Sequence, residues 1–526
     1  MNKLFALYVN EMIKTLRRLS AVLILSITLV AMIGFGVLMR FTLQAASDYR
    51  SSDISGEDIK ENNRQYIDSL IEMNGKKLFA LQEQIDALPE GADTSSLLIE
   101  KERLDEDTAR LTFYRENDIL LDDRLDFRFE AREKLSSLKI DRFTLSQKPQ
   151  LNEEESGKLA ALDQKIAELN DIIGRSDFPA YINLLKRDID ADAALSSEDK
   201  TLEKELLDLR VQMLPDPLPP ISAKYRSYGY NLETALSYLR TLKTSLKDDV
   251  DYRSPGSLIK PLDSKGRAQI QNDLAAAVYK VKNGIPLSNA LDSDNASYIT
   301  LKGLMGIGTF GAVILLIMLG GGAISSEITS GSIKSLIVAP VRRWKIVTAK
   351  LIALVTVWIA SFLLIYAASI AVNGLMYGFE PGSSFVYAVG GRAHEIRYYL
   401  YHFVYLLLSF VPIFVYFVFA FMLSAVTRNT AASVGISMGV YFAGSIVTTF
   451  LMQFKARWAD FLPFVHMQLA DRLLMDSYTN YSAGSILGGF NLTSDLPVLF
   501  SVIYLIVMLF CMLYTAYDSF CRRDIK

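Results

Sequence analysis

Cysteine is nearly absent from this chain. Cys511 and Cys521 are the only two among 526 residues, and both lie close to the C-terminus. A secreted scaffold stapled by disulfides is therefore excluded. Histidine is almost as scarce. His394, His402 and His466 stand far apart with no ligand spacing, so no metal site suggests itself. No G-x-x-x-x-G-K-[ST] occurs, so the chain has no phosphate-cradling loop of its own. The glycines of GIGTFG, residues 306–311, sit inside an apolar run and read as helix-packing positions rather than a nucleotide loop. No Ser/His/Asp trio is evident. The net charge of −3, with no basic patch interleaved with aromatics, excludes nucleic acid as a partner. No catalytic, cofactor-binding or metal-ligating residue is assigned. Any energy the protein uses must come from another chain.

Long apolar runs are what the chain does have. It is 51% hydrophobic and 21% charged, with a mean hydropathy of +0.22. The average hides a segregation: the middle is polar and the ends are apolar. A bilayer core needs about 20 helical residues to cross. Six runs meet that length, near residues 19–38, 301–324, 346–372, 399–423, 431–452 and 496–514. The first has a basic leader (Lys14, Arg17, Arg18), but its length and Arg40 identify an uncleaved anchor rather than a signal peptide. With six spans, the basic short segments all fall on one side: Lys3 to Arg18, Lys334 to Lys345, Arg428, and Arg522 to Lys526. That side is the cytoplasm, and both termini lie there.

The expected fold is therefore a membrane all-α protein. It has six transmembrane helices and a large, mainly helical, extracytoplasmic domain of coiled-coil hairpins between helices 1 and 2. Residues 1–18 form an interfacial amphipathic helix and 19–41 the first span. Residues 42–300 form the outer domain, 301–324 the second span and 325–345 a cytoplasmic segment. Residues 346–526 carry spans three to six. Within the outer domain three apolar stripes at helical spacing stand out: Leu78, Leu81, Ile85 and Leu88; Leu159, Leu162, Ile166, Leu169 and Ile173; Leu202, Leu206, Leu209 and Met213. PDPLPP, residues 215–220, breaks the helices. Tyr225, Tyr228, Tyr230 and Tyr238 follow and read as packing against the hairpins.

The stretch EITSGSIKSLIVAPVRRWKIVTAK, residues 327–350, joins the second and third spans. Ser330, Gly331 and Ser332 can end one helix and cap the next. Ile333, Leu336, Ile337 and Val338, with Lys334 on the polar side, describe a short helix on the membrane surface. Pro340 stops it, and Arg342, Arg343 and Lys345 form a cationic rim. A plain loop obeying the positive-inside rule would explain the charges but not this order of acid, breaker, short helix and proline.

The pattern Glu-x-x-Ser-Gly-Ser-x-x-x-Leu-x-x-x-Pro-Val-x-Arg resembles the segment after the second span of ABC-type-2 (ABC-2) exporter permeases. That family often has Gly-Thr where Gly331-Ser332 stands here. FMLSAVTRNTAASVGISMG, residues 421–439, is similar to the family's turn between the fourth and fifth spans. The N-terminal segment also fits, with Leu4, Phe5, Tyr8, Met12, Ile13 and Leu16 on one helical face. The resemblance covers the first forty residues and 301–526. The outer domain lies beyond the common core, though sodium-extrusion and peptide-resistance branches carry such insertions. The resemblance implies that Glu327, Ser330, Gly331, Ser332, Lys334, Leu336, Pro340, Arg342 and Arg343 form a coupling helix that docks on a cytoplasmic ABC ATPase. ATP and magnesium would be bound there and not by this chain. It also implies a second permease subunit, identical or homologous, in a multi-pass assembly of a bacterial cell membrane.

Gly435, Gly439 and Ala443 make a small-residue face on the fifth span, for packing within the subunit or against that second copy. Ser437, Tyr441, Ser445 and Thr448 make the same span rich in hydroxyls. These could line a translocation path, or bond back to their own helix. Mid-span carboxylates are missing, which favours an amphiphilic cargo (peptide, lipid or drug) over an ion. The competing readings are an ATPase-independent surface receptor or scaffold, resembling the phage-infection-protein group, and a sodium-extrusion permease.

Overall fold

The computed structural model describes residues 3–52, 55–89, 93–148, 150–215, 217–253, 261–285, 287, 296–332, 341–381, 384–453, 458, 461–467, 469–474 and 496–522. The chain divides into two compact units, one of residues 1–45 with 285–526 and one of residues 46–284.

The first unit is a bundle of apolar helices. Helix α1 (Lys3–Leu16) precedes α2 (Leu19–Ser52), whose apolar part is Leu19–Thr42. To keep one numbering, α3–α10 are the helices of the second unit. The bundle continues with α11 (Ala296–Gly322), the short α12 (Ser325–Thr329), α13 (Arg343–Tyr377), α14 (Tyr398–Thr427) and α15 (Thr430–Gln453). Two short turns, α16 (Pro463–His466) and α17 (Leu469–Leu473), precede α18 (Val498–Arg522). Among the described residues, α2, α11, α13, α14 and α18 are long and apolar enough to cross a membrane. The remaining predicted span, 431–452, is indeed one helix. Among the described residues its apolar stretch is Thr430–Gly444.

Helix α11 is the hub, packed on α13, α14 and α15. Its glycines explain why so many neighbours reach it. Gly308 faces Ile365 and Gly311 faces Thr28 with no room for a Cβ between them. A Cβ on Gly320 would stand 2.8 Å from the Phe417 carbonyl oxygen, and one on Gly321 2.7 Å from Val434. With little hydrophobic drive between helices in lipid, such close approach supplies the packing energy.

One part of the bundle departs from the all-helical expectation. Between α13 and α14, β1 (Phe385–Val389) pairs antiparallel with β2 (Arg392–Ile396). Gly390 and Gly391 turn the hairpin with φ of 59° and 75°, a conformation that favours glycine. The alternating apolar residues of FVYAV then put Phe385 onto the Tyr401 ring, with centroids 4.4 Å apart.

The second unit is helical: α3 (Gly56–Asp86), α4 (Ser95–Glu116), α5 (Phe127–Ser146), α6 (Glu153–Arg175), α7 (Phe178–Ala191), α8 (Ser197–Met213), α9 (Ala223–Asp248) and α10 (Ser264–Lys282). Successive pairs pack together, α3 with α4 and α5 with α6, as hairpin stripes require. Leu169, Ile173, Leu206 and Leu209 are buried as their spacing predicts. Leu88 is the exception. Helix α3 stops at Asp86, so Leu88 falls beyond the stripe and is exposed. The proline-rich break separates α8 from α9. Tyr225 and Tyr238 are buried beyond it, whereas Tyr230 is exposed.

Capping boxes start α3 (Ser55 with Asp58) and α6 (Asn152 with Glu155). Asn152 Oδ1 accepts from Glu155 N at 2.7 Å, and Glu155 Oε2 accepts from Asn152 N at 3.0 Å. Asn152→Ala removes one half of this exchange. The expected loss is about 1 kcal/mol, read as earlier hydrogen exchange in the first turn of α6.

Candidate functional site

The sequence places an acid, a breaker and a basic rim between α11 and α13. The structure shows how the elbow is made. Helix α11 ends at a run of three glycines, and the Ser424 hydroxyl of α14 takes up the backbone N–H groups of Ile324 (3.1 Å) and Ser325 (2.9 Å). Ser325 Oγ donates back to the Gly321 carbonyl at 2.6 Å, and Ser433 Oγ of α15 donates to the same oxygen at 2.6 Å. These bonds satisfy a helix break inside the protein, where an unpaired backbone group would be costly. The short α12 then projects with Glu327 turned inward.

Glu327 sits in a buried ionic network that joins three elements. Lys350, on the first turns of α13, places Nζ 2.8 Å from Glu327 Oε1 and 2.9 Å from Glu11 Oε2. Lys14 places its Nζ 3.1 Å from Glu327 Oε1 and 3.4 Å from Glu11 Oε1. Lys350 is only 3% exposed, and both glutamates are buried. Two carboxylates thus meet two ammonium groups, with zero net charge. Burial pulls the Lys14 pKa down, but Glu11 and Glu327 outweigh it and hold the group above the ordinary lysine value. Arg18 Nη2 adds a bond of 3.3 Å to Ser326 Oγ. The amphipathic helix α1 is therefore bolted to both the elbow and the base of α13.

Glu11 and Lys350 are the functional residues that sequence reasoning missed. A signal was present for Glu11, an acid set among Tyr8, Met12 and the other apolar residues of α1. Leu7, Tyr8 and Met12 pack against the bundle core beside Glu11, whereas Phe5, Ile13 and Leu16 are exposed. The apolar residues of α1 are thus divided between the bundle and the surroundings.

After Glu327 the chain turns as expected. Thr329 ends α12, Ser330 caps it, and Gly331 adopts φ +72°. Ser330 Oγ lies 2.9 Å from Ser332 Oγ. Lys334, Leu336 and Pro340, with the short helix expected around them, lie outside the described residues. Arg342 precedes the first turn of α13 and is exposed, and Arg343 Nη1 donates to the Cys521 carbonyl at 3.4 Å. No described cluster of His, Cys, Asp and Glu could hold a metal ion.

On α15 the two groups of residues separate. Among the described residues, nothing lies within 4 Å of where a Cβ on Gly435 or Gly439 would stand. Ala443, one turn on, belongs to the same sequence face. Ser437 is buried and donates back to the Ser433 carbonyl at 2.8 Å. The Tyr441 ring packs edge-on against Tyr416 at 5.1 Å. The side chains of Ser445 and Thr448 lie outside the described residues.

Comparison with known proteins agrees with this geometry. The sequence matches the family described as ABC-2 family transporter protein over residues 5–525. It is 25% identical over 256 residues to the uncharacterized protein YhcI of Bacillus subtilis (strain 168), covering 47% of this chain and 74% of that relative. It is 24% identical over 213 residues to the uncharacterized membrane protein YdbK of the same organism, covering 40% of this chain and 77% of that protein. The apolar helices and these relatives together describe a multi-pass membrane protein.

Proposed function

The chain belongs to the ABC-2 transporter family, and from that premise we propose that it is the permease subunit of an exporter driven by a separate ABC ATPase. The ATPase, holding ATP and magnesium, docks on the cytoplasmic elbow formed by residues 325–345. Six spans cross the membrane, both termini are cytoplasmic, and the helical unit of residues 46–284 lies outside. The open face at Gly435, Gly439 and Ala443 meets a second permease subunit. The cargo is an amphiphile, since no carboxylate stands at mid-span to relay ions.

The observation that carries this reading is the buried network of Glu11, Lys14, Glu327 and Lys350. A soluble motor pressing on the elbow cannot move α12 alone, because Glu327 is tied to α1 and α13 through charges that have little water to relax into. Force at the elbow therefore reaches the interfacial helix and the third span together. This is what coupling between a motor and membrane helices requires.

Gly331→Val tests the coupling. Among the described residues nothing lies within 4 Å of a Cβ there, but the φ of +72° is strained for a β-branched residue, by about 1–2 kcal/mol. The expected result is normal membrane insertion with the loss of cargo-stimulated ATP hydrolysis in the reconstituted complex. Co-purification with an ATP-hydrolysing subunit is the companion measurement. A chain that purifies alone, with no such partner under crosslinking, supports the scaffold reading instead.

A further inference from the structure

At the end of the bundle opposite the elbow, Lys302 of α11 faces three tyrosine rings. Its Nζ lies 5.0 Å from the centroid of Tyr298, 5.9 Å from Tyr401 and 4.9 Å from Tyr405. Ring faces are electron-rich and attract ammonium groups within about 6 Å. No salt bridge joins Lys302 to any described residue. Among the described residues, this lysine of an apolar helix is thus held by aromatic faces and not by a carboxylate.

The surroundings continue the same chemistry. His402 is fully buried, its ring edge-on to Tyr298 at 5.4 Å. His402 Nδ1 lies 2.9 Å from the Tyr398 carbonyl oxygen, so that nitrogen carries the hydrogen. Nε2 is then a lone-pair acceptor, buried and without a protein partner. Asn373 of α13 is also buried. Its amide nitrogen donates to Ser297 Oγ at 2.8 Å, which leaves Oδ1 as a second acceptor with no partner. Tyrosine faces and unfilled acceptors all favour a cationic hydrogen-bond donor. Buried acceptors are rarely left unfilled in a native protein.

We infer that this cluster is a receptor for the ammonium group of an amphiphile, and that Lys302 is its tethered occupant when no cargo is bound. The inference rests on the export reading and names its substrate class: an apolar chain bearing a protonated amine. The cargo's cation displaces Lys302 from the rings, and Lys302 swings to the neighbouring aqueous boundary as long basic side chains do.

The test uses the full chain in phosphatidylglycerol nanodiscs, which contain no choline headgroup, without ATPase or nucleotide. The probe is radiolabelled dodecylammonium below its micellar concentration, corrected for empty discs. Lys302→Met should tighten binding about tenfold by removing the internal competitor. Tyr405→Leu in the Lys302→Met background should reverse that gain, with an unchanged melting temperature showing that the bundle is intact. Dodecyl sulfate should not compete. The inference is overturned if Lys302→Met leaves cation binding unchanged or weaker, or if the tyrosine change has no effect. It is also overturned if dodecyl sulfate is the probe whose binding depends on Lys302. Because no motor is present, failure here leaves the export reading standing, and failure to find an ATPase partner leaves the receptor standing.

Discussion

Replacing Lys350 with methionine should destabilise the bundle by about 3–5 kcal/mol. Its ammonium group is the one cation of the network that is almost wholly buried, and it serves Glu11 and Glu327 at 2.9 and 2.8 Å. Lys14 alone cannot balance both carboxylates. Its side chain is 42% exposed, so water screens much of its attraction. Loss of Lys350 would leave two buried carboxylates sharing one half-solvated partner. A single charge reversal at either glutamate should not rescue the variant, because Lys350 bridges two different elements. Replacing the three buried groups by neutral ones (Glu11→Gln, Glu327→Gln, Lys350→Met) should recover most of the stability, since a buried charge set often equals its neutral isosteres and the one charge left, on Lys14, sits on a side chain 42% exposed to water.

The two variants together separate fold from coupling. The measurement is thermal unfolding in detergent, followed by size exclusion, alongside ATP hydrolysis with the partner subunit. The neutral triple variant should melt close to wild type yet transmit less, because only short hydrogen bonds would then hold α1 to α12. A single Lys350→Met variant that melts like wild type would mean the network does not exist in the protein. A double-mutant cycle between Glu11 and Lys350 should show a coupling of about 0.5–3 kcal/mol, as contacting charged residues do.

Gly320→Val should disrupt the packing of α11 on α14. Any Cβ at this position meets the Phe417 carbonyl oxygen at 2.8 Å, the Ala420 methyl at 3.5 Å and the Phe421 nitrogen at 3.5 Å. The first and last of these are backbone atoms, which cannot rotate away as a side-chain tip can. The helices must separate or α14 must bend, at a cost toward the upper end of ~1–3 kcal/mol. The effect should reach the elbow, because Ser424, which caps α12, lies one turn beyond Phe421 on α14. The expected readout is a lowered melting temperature with more rapid exchange at Ile324 and Ser325. Gly306→Val is the control on the same helix. That glycine has open space around it, so the variant should melt like wild type apart from a small propensity effect. Equal losses at both positions would show that close helix approach is not what Gly320 provides.

The residue order at the elbow was legible in advance. Glu327, Ser330, Gly331, Ser332 and the rim of Arg342 and Arg343 announce a break and a turn, and Gly331 does adopt the left-handed conformation. The partners of Glu327 were not legible. Glu11 and Lys350 lie on either side of it in sequence, 339 residues apart from each other. Local spacing carries no information about such a meeting. The same limit applies to Lys302. Tyr401 and Tyr405 are one helical turn apart and share a face by sequence, but their convergence on Lys302 depends on α14 lying against α11. The hairpin of residues 385–396 was overlooked for a different reason. Two five-residue strands give a weak pattern beside spans of about twenty apolar residues.

Sequence by itself determined where the apolar helices lie, where charge is excluded and where the chain must turn, because hydropathy, glycine conformation and proline geometry act within a few residues. Tertiary structure alone decided which buried charges neutralise one another, which face of α1 turns inward and which glycines touch a neighbour. Those outcomes depend on desolvation and steric fit between helices, and both exist only once hundreds of intervening residues have brought the groups together.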